Sequence, residues 1–260
     1  MNFAANLSMM FTEHDFPARF VAASGCGFKA VEYLFPYDWP VELVDARLRE
    51  FGLLQVLFNL PPGNWDGGER GLACLPGREG EFEKSIEQAT TYAEVLKPLR
   101  VHCMAGLKAP DADFKTHRAT YVSNVRKAAK AFHELGIEVL IEPINPYDMP
   151  GYFLDDFGLA LEILAEINRD STANVKLQFD IYHCQRIHGD VTGWLERCKA
   201  HTAHLQIAGT PDRHEPDVGD LPLAEILEVA GSLHPELWIG CEYRPAGNTQ
   251  DGLGWLDRWR

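Results

Sequence analysis

The feature of this sequence that most restricts its fold is a regular alternation. Short apolar runs of strand length recur along the whole chain, and each gives way to a longer stretch of helical periodicity. Strands are expected over 3–7, 30–35, 53–58, 100–104, 137–142, 175–180, 203–207 and 237–242. Helices are expected over 16–23, 41–51, 79–96, 114–135, 157–167, 223–230 and 253–259, with a weaker signal around 192–200. Within 79–96, Phe82, Ile86, Ala89 and Ala93 stand three or four apart, the spacing of one helix face. Strands that alternate with helices pair in parallel through right-handed crossovers. Eight such units in about 250 residues fit an α/β fold of one kind, a closed (β/α)8 TIM barrel, better than an open doubly wound sheet. An open sheet would carry a glycine-rich phosphate turn after its first strand. Here that strand runs into Ser8-Met9-Met10-Phe11, and neither GxGxxG nor GxxxxGK[ST] occurs. No Pro/Gly/Ser linker or compositional break divides residues 1–260, so a single domain is expected.

Charge narrows the partners. The chain has 24 basic against 38 acidic side chains, a formal −14, and no run of Lys or Arg reverses that sign locally. Nucleic acid binding draws on clustered cations and is not expected. A small anionic substrate remains compatible, because a bound metal or one or two arginines inverts the local field. The six cysteines are scattered without a CxxC pair, which reads as reduced thiols of a cytoplasmic protein. The start MNFAANLSMMF lacks the basic and long apolar regions of a signal peptide, and no segment approaches the ~18 apolar residues of a membrane span.

Alternate side chains of a strand point to opposite faces, so one parity packs against helices and the other faces the lumen. Lys176, Gln178 and Asp180 alternate with Val175, Leu177 and Phe179. His204 and Gln206 alternate with Ala203, Leu205 and Ile207, and Arg100, His102 and Met104 with Val101 and Cys103. The polar sets belong to the lumen, together with Glu32, Glu138, Glu142 and Glu242. Buried carboxylates in such number must be protonated, hydrogen-bonded or paired with a cation. Glu142, Asp180, Gln206 and Glu242 stand at or near the C-terminal ends of the fifth to eighth strands, the end on which barrel enzymes build active sites. Three carboxylates and an amide carbonyl suit a hard divalent cation such as Mg²⁺ or Mn²⁺ better than Zn²⁺. Taken singly, each is more often a helix cap, a salt bridge or a solvated residue; recurrence on successive strands is what points to a metal site. His183 reads as a site residue or a satisfied loop histidine, His102 as a site or packed lumen residue, and His204 as structural.

At these residues the chain resembles the hydroxypyruvate isomerase family, a branch of the xylose-isomerase-like TIM barrels that also contains 2-oxo-tetronate isomerases. The resemblance is carried by FAANLSMMF near the start, VEYLFPYDW at 31–39, NLPPGNWDGGERGLACLPGRE at 59–79, LIEPINPYDMPGYFL at 140–154, QFDIYHCQRIHGDVT at 178–192, HLQIAGTPDRHEP at 204–216 and GCEYRPAGNTQDGLGWLD at 240–257. It covers nearly the full length. It implies that Glu142, Asp180, Gln206 and Glu242 coordinate one divalent cation, and that Glu142 and Glu242 form the proton donor and acceptor pair. The implied reaction interconverts hydroxypyruvate and tartronate semialdehyde (2-hydroxy-3-oxopropanoate) through an enediolate, by metal-assisted proton transfer. IEPIN and GERGLACLPGRE are nearer the hydroxypyruvate branch. The stretch Pro216-Asp217-Val218-Gly219-Asp220-Leu221-Pro222 departs from the family pattern, which bears on substrate range.

A substrate carboxylate needs a cation, for which Arg213, Arg78 and Arg70 are the loop candidates, Arg213 foremost; each reads equally as a salt-bridged surface arginine. His183 is expected to orient a substrate oxygen or a ligand carboxylate, His102 to contact substrate, and Glu32 to support the site from behind. The long connection at 59–78, rich in Gly and Pro and holding Trp65, is either a lid or a static rim of the active site. Other readings share this barrel. A 2-oxo-tetronate isomerase or a ketose 3-epimerase would use the same residues. A zinc-dependent apurinic endonuclease would need many His ligands and a basic face. A sugar-acid-binding barrel without turnover is the non-enzymatic reading, opposed by the presence of all four candidate ligands. A homo-oligomer stays open, since no interface signature stands out.

Overall fold

A computed structural model of the chain describes residues 1–169 and 174–259. Strands β1 (Asn2–Asn6), β2 (Ala30–Tyr33), β3 (Leu54–Asn59), β4 (Arg100–His102), β5 (Glu138–Ile141), β6 (Val175–Asp180), β7 (Thr202–Ile207) and β8 (Trp238–Cys241) pair in parallel in sequence order, and β8 closes onto β1. Around them run α1 (Phe16–Gly25), α2 (Val41–Phe51), α3 (Glu79–Leu96), α4 (Phe114–His133), α5 (Phe157–Ile167), α6 (Ile181–His188), α7 (Val191–Cys198), α8 (Leu223–Leu233) and a closing 3-10 helix (Gln250–Arg258). The fold is the expected closed (β/α)8 barrel.

The helices form where one face repeats apolar residues. In α5, Phe157, Ala160, Ile163, Leu164 and Ile167 are buried on one stripe, and the Asp156 carboxylate accepts from the Leu159 N–H at 2.8 Å to cap its start. Phe157 packs on Phe179 of β6 with ring centroids 4.8 Å apart, so truncating either ring to Ala would cost about 3–5 kcal/mol. The α3 face behaves likewise, with Phe82, Ile86, Ala89 and Ala93 buried. Among the described residues no helix is long and apolar enough to cross a membrane.

The lumen is layered. Ala4, Ala30, Val56, Leu57, Leu140 and Ala203 form an apolar cluster separate from the main core. Ala4, Ala30 and Leu140 precede Asn6, Glu32 and Glu142 by two residues on their strands, so the cluster plugs the barrel one layer below the polar residues. Arg100 and Glu138, paired at 3.0 Å, lie a further step down on β4 and β5.

Three expectations needed revision. A helix, α6, begins at Ile181 with no loop after β6. The expected helix 253–259 is instead the later part of a 3-10 helix from Gln250 to Arg258, capped by Trp259, which contains Gly252 and Gly254, poor residues for an α-helix interior. Register slips between Val31 and Glu32 and between Leu177 and Gln178 interrupt strict alternation across β2–β3 and β6–β7.

Candidate active site

Asp180 ends β6 and at the same time caps α6. Its Oδ1 accepts from the Tyr182 N–H at 2.7 Å and the His183 N–H at 3.4 Å, while Gly189 (φ 70°) ends the helix in the left-handed conformation. That turn brings His183 back over the barrel mouth beside Glu142, the first residue after β5. One donor atom from each of Glu142, Asp180 and His183 lies within 4.8 Å of the other two, and all three residues are buried. Glu242, the first residue after β8, joins this group through Arg213. The Arg213 Nη2 pairs with Glu242 Oε2, lies 3.4 Å from Asp180 Oδ2, and has Asp148 at 3.9 Å from Nη1.

Arg213 is held there by its backbone. It adopts φ 59°, its N–H donates to the Gly209 carbonyl at 3.0 Å, and its carbonyl accepts from the Arg244 N–H at 2.8 Å. Its guanidinium lies 4.9 Å from the centre of the Tyr182 ring. A non-glycine residue held left-handed costs about 1–3 kcal/mol, a strain that the surrounding contacts must offset.

Below this layer the Glu32 carboxylate takes three donors. Asn6 Nδ2 lies at 2.9 Å and Gln206 Nε2 at 2.8 Å from Oε1, and His204 Nε2 lies 2.6 Å from Oε2. Gln206 in turn accepts from Gln178 Nε2 at 2.6 Å. Asn6 also donates to Glu242 at 3.3 Å, linking the two layers.

Burial and mutual repulsion raise the proton affinity of the carboxyls. Glu142 is held well above the usual carboxylate range by burial first, then by Glu242 and Asp180. Asp180 and Glu242 are raised by burial, with Arg213 opposing the rise. His102 stands 3.5 Å from Glu142 and is pushed down to about 3 by burial and by His204, so it is neutral; neither ring nitrogen has a hydrogen-bond partner among the described residues. His183 is held well below its usual value by burial, then by Arg213. Its tautomer follows from Asn145. The Asn145 Oδ1 accepts from the Tyr147 and Asp148 N–H groups, which aims its amide nitrogen at His183 Nδ1, 2.7 Å away. Nδ1 therefore accepts and Nε2 carries the hydrogen, so His183 offers a donor at the mouth rather than a lone pair.

These residues fit a divalent cation. Glu142 Oε1 is buried without a partner among the described residues, and the Glu142 and Asp180 carboxylates converge within bonding reach of one ion, with the His183 Nε2–H beside them.

A cavity of about 390 Å³ opens above the cluster. Glu142, Glu242, His102, His183 and Arg213 line it, whereas Asp180 and Gln206 are not part of the lining. The segment between β3 and α3 contributes Trp65 and Arg70. Its base is fastened to the β4–α4 connection, where Cys74 N–H donates to the Ala105 carbonyl at 2.7 Å and Gly71 (φ 113°) passes so close to the Met104 carbonyl that no Cβ fits. Arg78 lies elsewhere. It precedes α3, pairs with Glu69 and with Glu81 at 2.6 Å, and does not line the cavity, so its carboxylate partners come from its own loop and helix. Asn145, Tyr182 and Arg244 are residues that strand parity could not reveal, because Asn145 and Arg244 sit on the connections after β5 and β8 and Tyr182 lies in the first turn of α6. The signal for Asn145 was its place in IEPIN.

Comparison with known proteins agrees with this architecture. Residues 20–259 match the family model described as a xylose isomerase-like TIM barrel. The chain is 53% identical over 254 residues to the 2-oxo-tetronate isomerase of Cupriavidus necator, covering 98% of this chain and 96% of that protein. It is 40% identical over 260 residues to the hydroxypyruvate isomerase of Escherichia coli, with both chains covered completely. Among solved structures, a protein of Brucella melitensis described as an AP endonuclease of family 2 superposes with a TM-score of 0.95 at 42% identity, covering 100% of this chain and 99% of the other. The chain therefore belongs to the xylose isomerase-like TIM barrel family, in the group of isomerases that includes the hydroxypyruvate and 2-oxo-tetronate isomerases.

Proposed function

We propose that this protein moves a carbonyl between C2 and C3 of a short 2-oxo acid by proton transfer through an enediolate. The principal substrate is 2-oxo-tetronate, and hydroxypyruvate, which yields tartronate semialdehyde, is the second. The observation that carries the reaction is the arrival of Glu142 and Glu242 in one cavity from separate arcs of the barrel, with Arg213 beside them. The order of substrates rests on identity, 53% to the tetronate isomerase against 40% to the hydroxypyruvate isomerase, although IEPIN and GERGLACLPGRE carry the hydroxypyruvate resemblance.

Glu142 and Glu242 take the proton from one carbon and return it to the other. Arg213 balances the charge of Glu242 and Asp180 while that proton is in transit. His183 presents its Nε2–H to a substrate oxygen, and neutral His102 lines the wall beside Glu142. Glu142, Asp180 and Glu242 would hold the divalent cation, Mg²⁺ or Mn²⁺ by their oxygen donors, and the Gln206 amide oxygen would be the fourth donor on giving up its bond from Gln178. When bound the cation supplies Lewis-acid stabilisation of the charge that develops on the substrate oxygens. The description of the Brucella relative as an endonuclease is not carried over to this chain: a formal −14 and a lining with His102 and His183 do not suit a DNA backbone or a histidine-rich zinc site.

Proton NMR in D₂O with each acid, with and without added Mg²⁺ or Mn²⁺, tests the reading. Metal-dependent turnover with solvent deuterium in the product is expected, at a higher kcat/KM for 2-oxo-tetronate. Glu142→Gln and Glu242→Gln should each lower kcat by roughly 10²–10⁴-fold. Full activity in either variant would remove that residue from the proton path.

A further inference from the structure

Three arginines line the cavity, and they differ in what they already hold. Arg213 is engaged by Glu242, Asp180 and Asp148, so its charge is spent within the protein. Arg70 and Arg244 have no carboxylate partner among the described residues. Four carboxyl residues, Glu142, Asp148, Asp212 and Glu242, also line this cavity, yet among the described residues neither of these two guanidiniums is engaged by any of them.

Arg70 is also pre-set. Its Nη1 donates to the Trp65 carbonyl at 2.8 Å and to the Glu69 carbonyl at 2.7 Å, and its guanidinium lies 4.1 Å from the centre of the Trp65 ring. Trp65 packs edge-on against Phe35, with centroids 5.0 Å apart. The ring and two carbonyls fix one side of the guanidinium and leave Nε and Nη2 for a ligand. Arg244 follows Glu242 by two residues, and the bond from its N–H to the Arg213 carbonyl fixes its backbone beside the acid/base residues. One arginine thus comes from the β3–α3 connection and the other from the segment after β8.

We propose that Arg70 and Arg244 form the subsite for the substrate carboxylate and set the preference for 2-oxo acids over neutral ketoses. The inference rests on the reaction proposed above and supplies its specificity element. Planar guanidiniums pair with a carboxylate through two parallel hydrogen bonds, and the carboxylate is the group that distinguishes hydroxypyruvate from dihydroxyacetone, which carries CH₂OH in its place.

The test measures KM and kcat for both acids, together with the inhibition constant of dihydroxyacetone, in the metal-loaded wild-type protein and in Arg70→Met, Arg244→Met and Arg244→Lys. Each Met substitution should raise KM for the acids roughly 10- to 100-fold, the loss of a charge-assisted pair, with kcat shifted far less. Binding of dihydroxyacetone should change less than about twofold, and Arg244→Lys should recover part of the loss. An unchanged KM in both Met variants, or parallel losses for acid and neutral ligand, would overturn the subsite. If wild-type protein turns over neither acid, the proposed reaction fails by itself. Calorimetric titration with hydroxypyruvate, in wild type against Arg244→Met, still decides the subsite: equal affinities refute it and weaker binding in the variant upholds it.

Discussion

At the residue scale, small differences of position decide what the buried polar groups can do. Glu32 is fully buried yet carries three hydrogen-bond donors, and Gly240 of β8 lies against its carboxylate so closely that a Cβ there would overlap both oxygens. Gly240→Ala should therefore destabilise the protein by about 1–3 kcal/mol through forced displacement of Glu32 and its partners. Gly247→Ala, where the new Cβ meets nothing within 4 Å, should be near neutral. Urea unfolding of the two variants against wild type checks this, and equal midpoints would refute it. The sequence placed Glu32 in the lumen by parity, but a glycine inside a strand gives no sign of what presses against it. His183 shows the same limit: its residue type and place near Asp180 were readable, whereas its hydrogen-bonding state depends on how Asn145, thirty-eight residues earlier, is oriented.

At the element scale, the connection between β3 and α3 behaves as a built piece of the mouth. Its organising contact is Glu69, whose carboxylate pairs with Arg78 and accepts from the Asn64 N–H. The Arg78 bond first, then the Asn64 bond, holds the Glu69 carboxyl below the usual carboxylate range. A group lowered on folding stabilises fully above its unfolded value, about 4, and that contribution is lost as pH falls through the lowered folded value. Hydrogen exchange at the Asn64 amide should thus be well protected from neutral pH down to about pH 5 and lose protection below about 4. Glu69→Gln should lower protection and flatten its pH dependence; protection as high in the variant as in wild type would show that other contacts hold the loop. Elements with long apolar stripes, such as α3 and α5, were legible to the residue in the sequence. Helix α6 was not, because IYHCQRIH is short and mixed in polarity and follows its strand without a turn. Its two punctuating residues, Asp180 before and Gly189 after, were the available signal.

At the scale of the whole molecule, the barrel brings together carboxylates that repel one another, so an ion at the mouth is linked to stability. A cation binding only the folded state adds RT ln(1 + [L]/Kd), about 2.7 kcal/mol at a hundredfold excess over Kd, which for a chain of this size raises Tm by roughly 5–10 °C. Thermal unfolding in EDTA and then in Mn²⁺ should show that rise in wild type. In Asp180→Asn the cap on α6 is kept, since Asn caps as well as Asp, so stability in EDTA should stay within about 1 kcal/mol of wild type. Most of the Mn²⁺-dependent rise should vanish. A variant that gains as much as wild type would exclude Asp180 from the ion's donors.

The sequence alone determined the periodicities: which segments extend, which coil, and which side chains of a strand face inward. Those follow from local geometry with periods of two and 3.6 residues, and they suffice for a closed barrel with acidic residues at the C-terminal ends of its later strands. Only the tertiary structure decided that Arg213 is spent on Glu242 and Asp180, that Arg78 is held by its own loop, and that Arg70 and Arg244 remain open at the cavity. Those outcomes depend on through-space contacts between connections from different parts of the chain. An arginine's residue type states its charge; only the assembled neighbourhood states whether that charge is already paired.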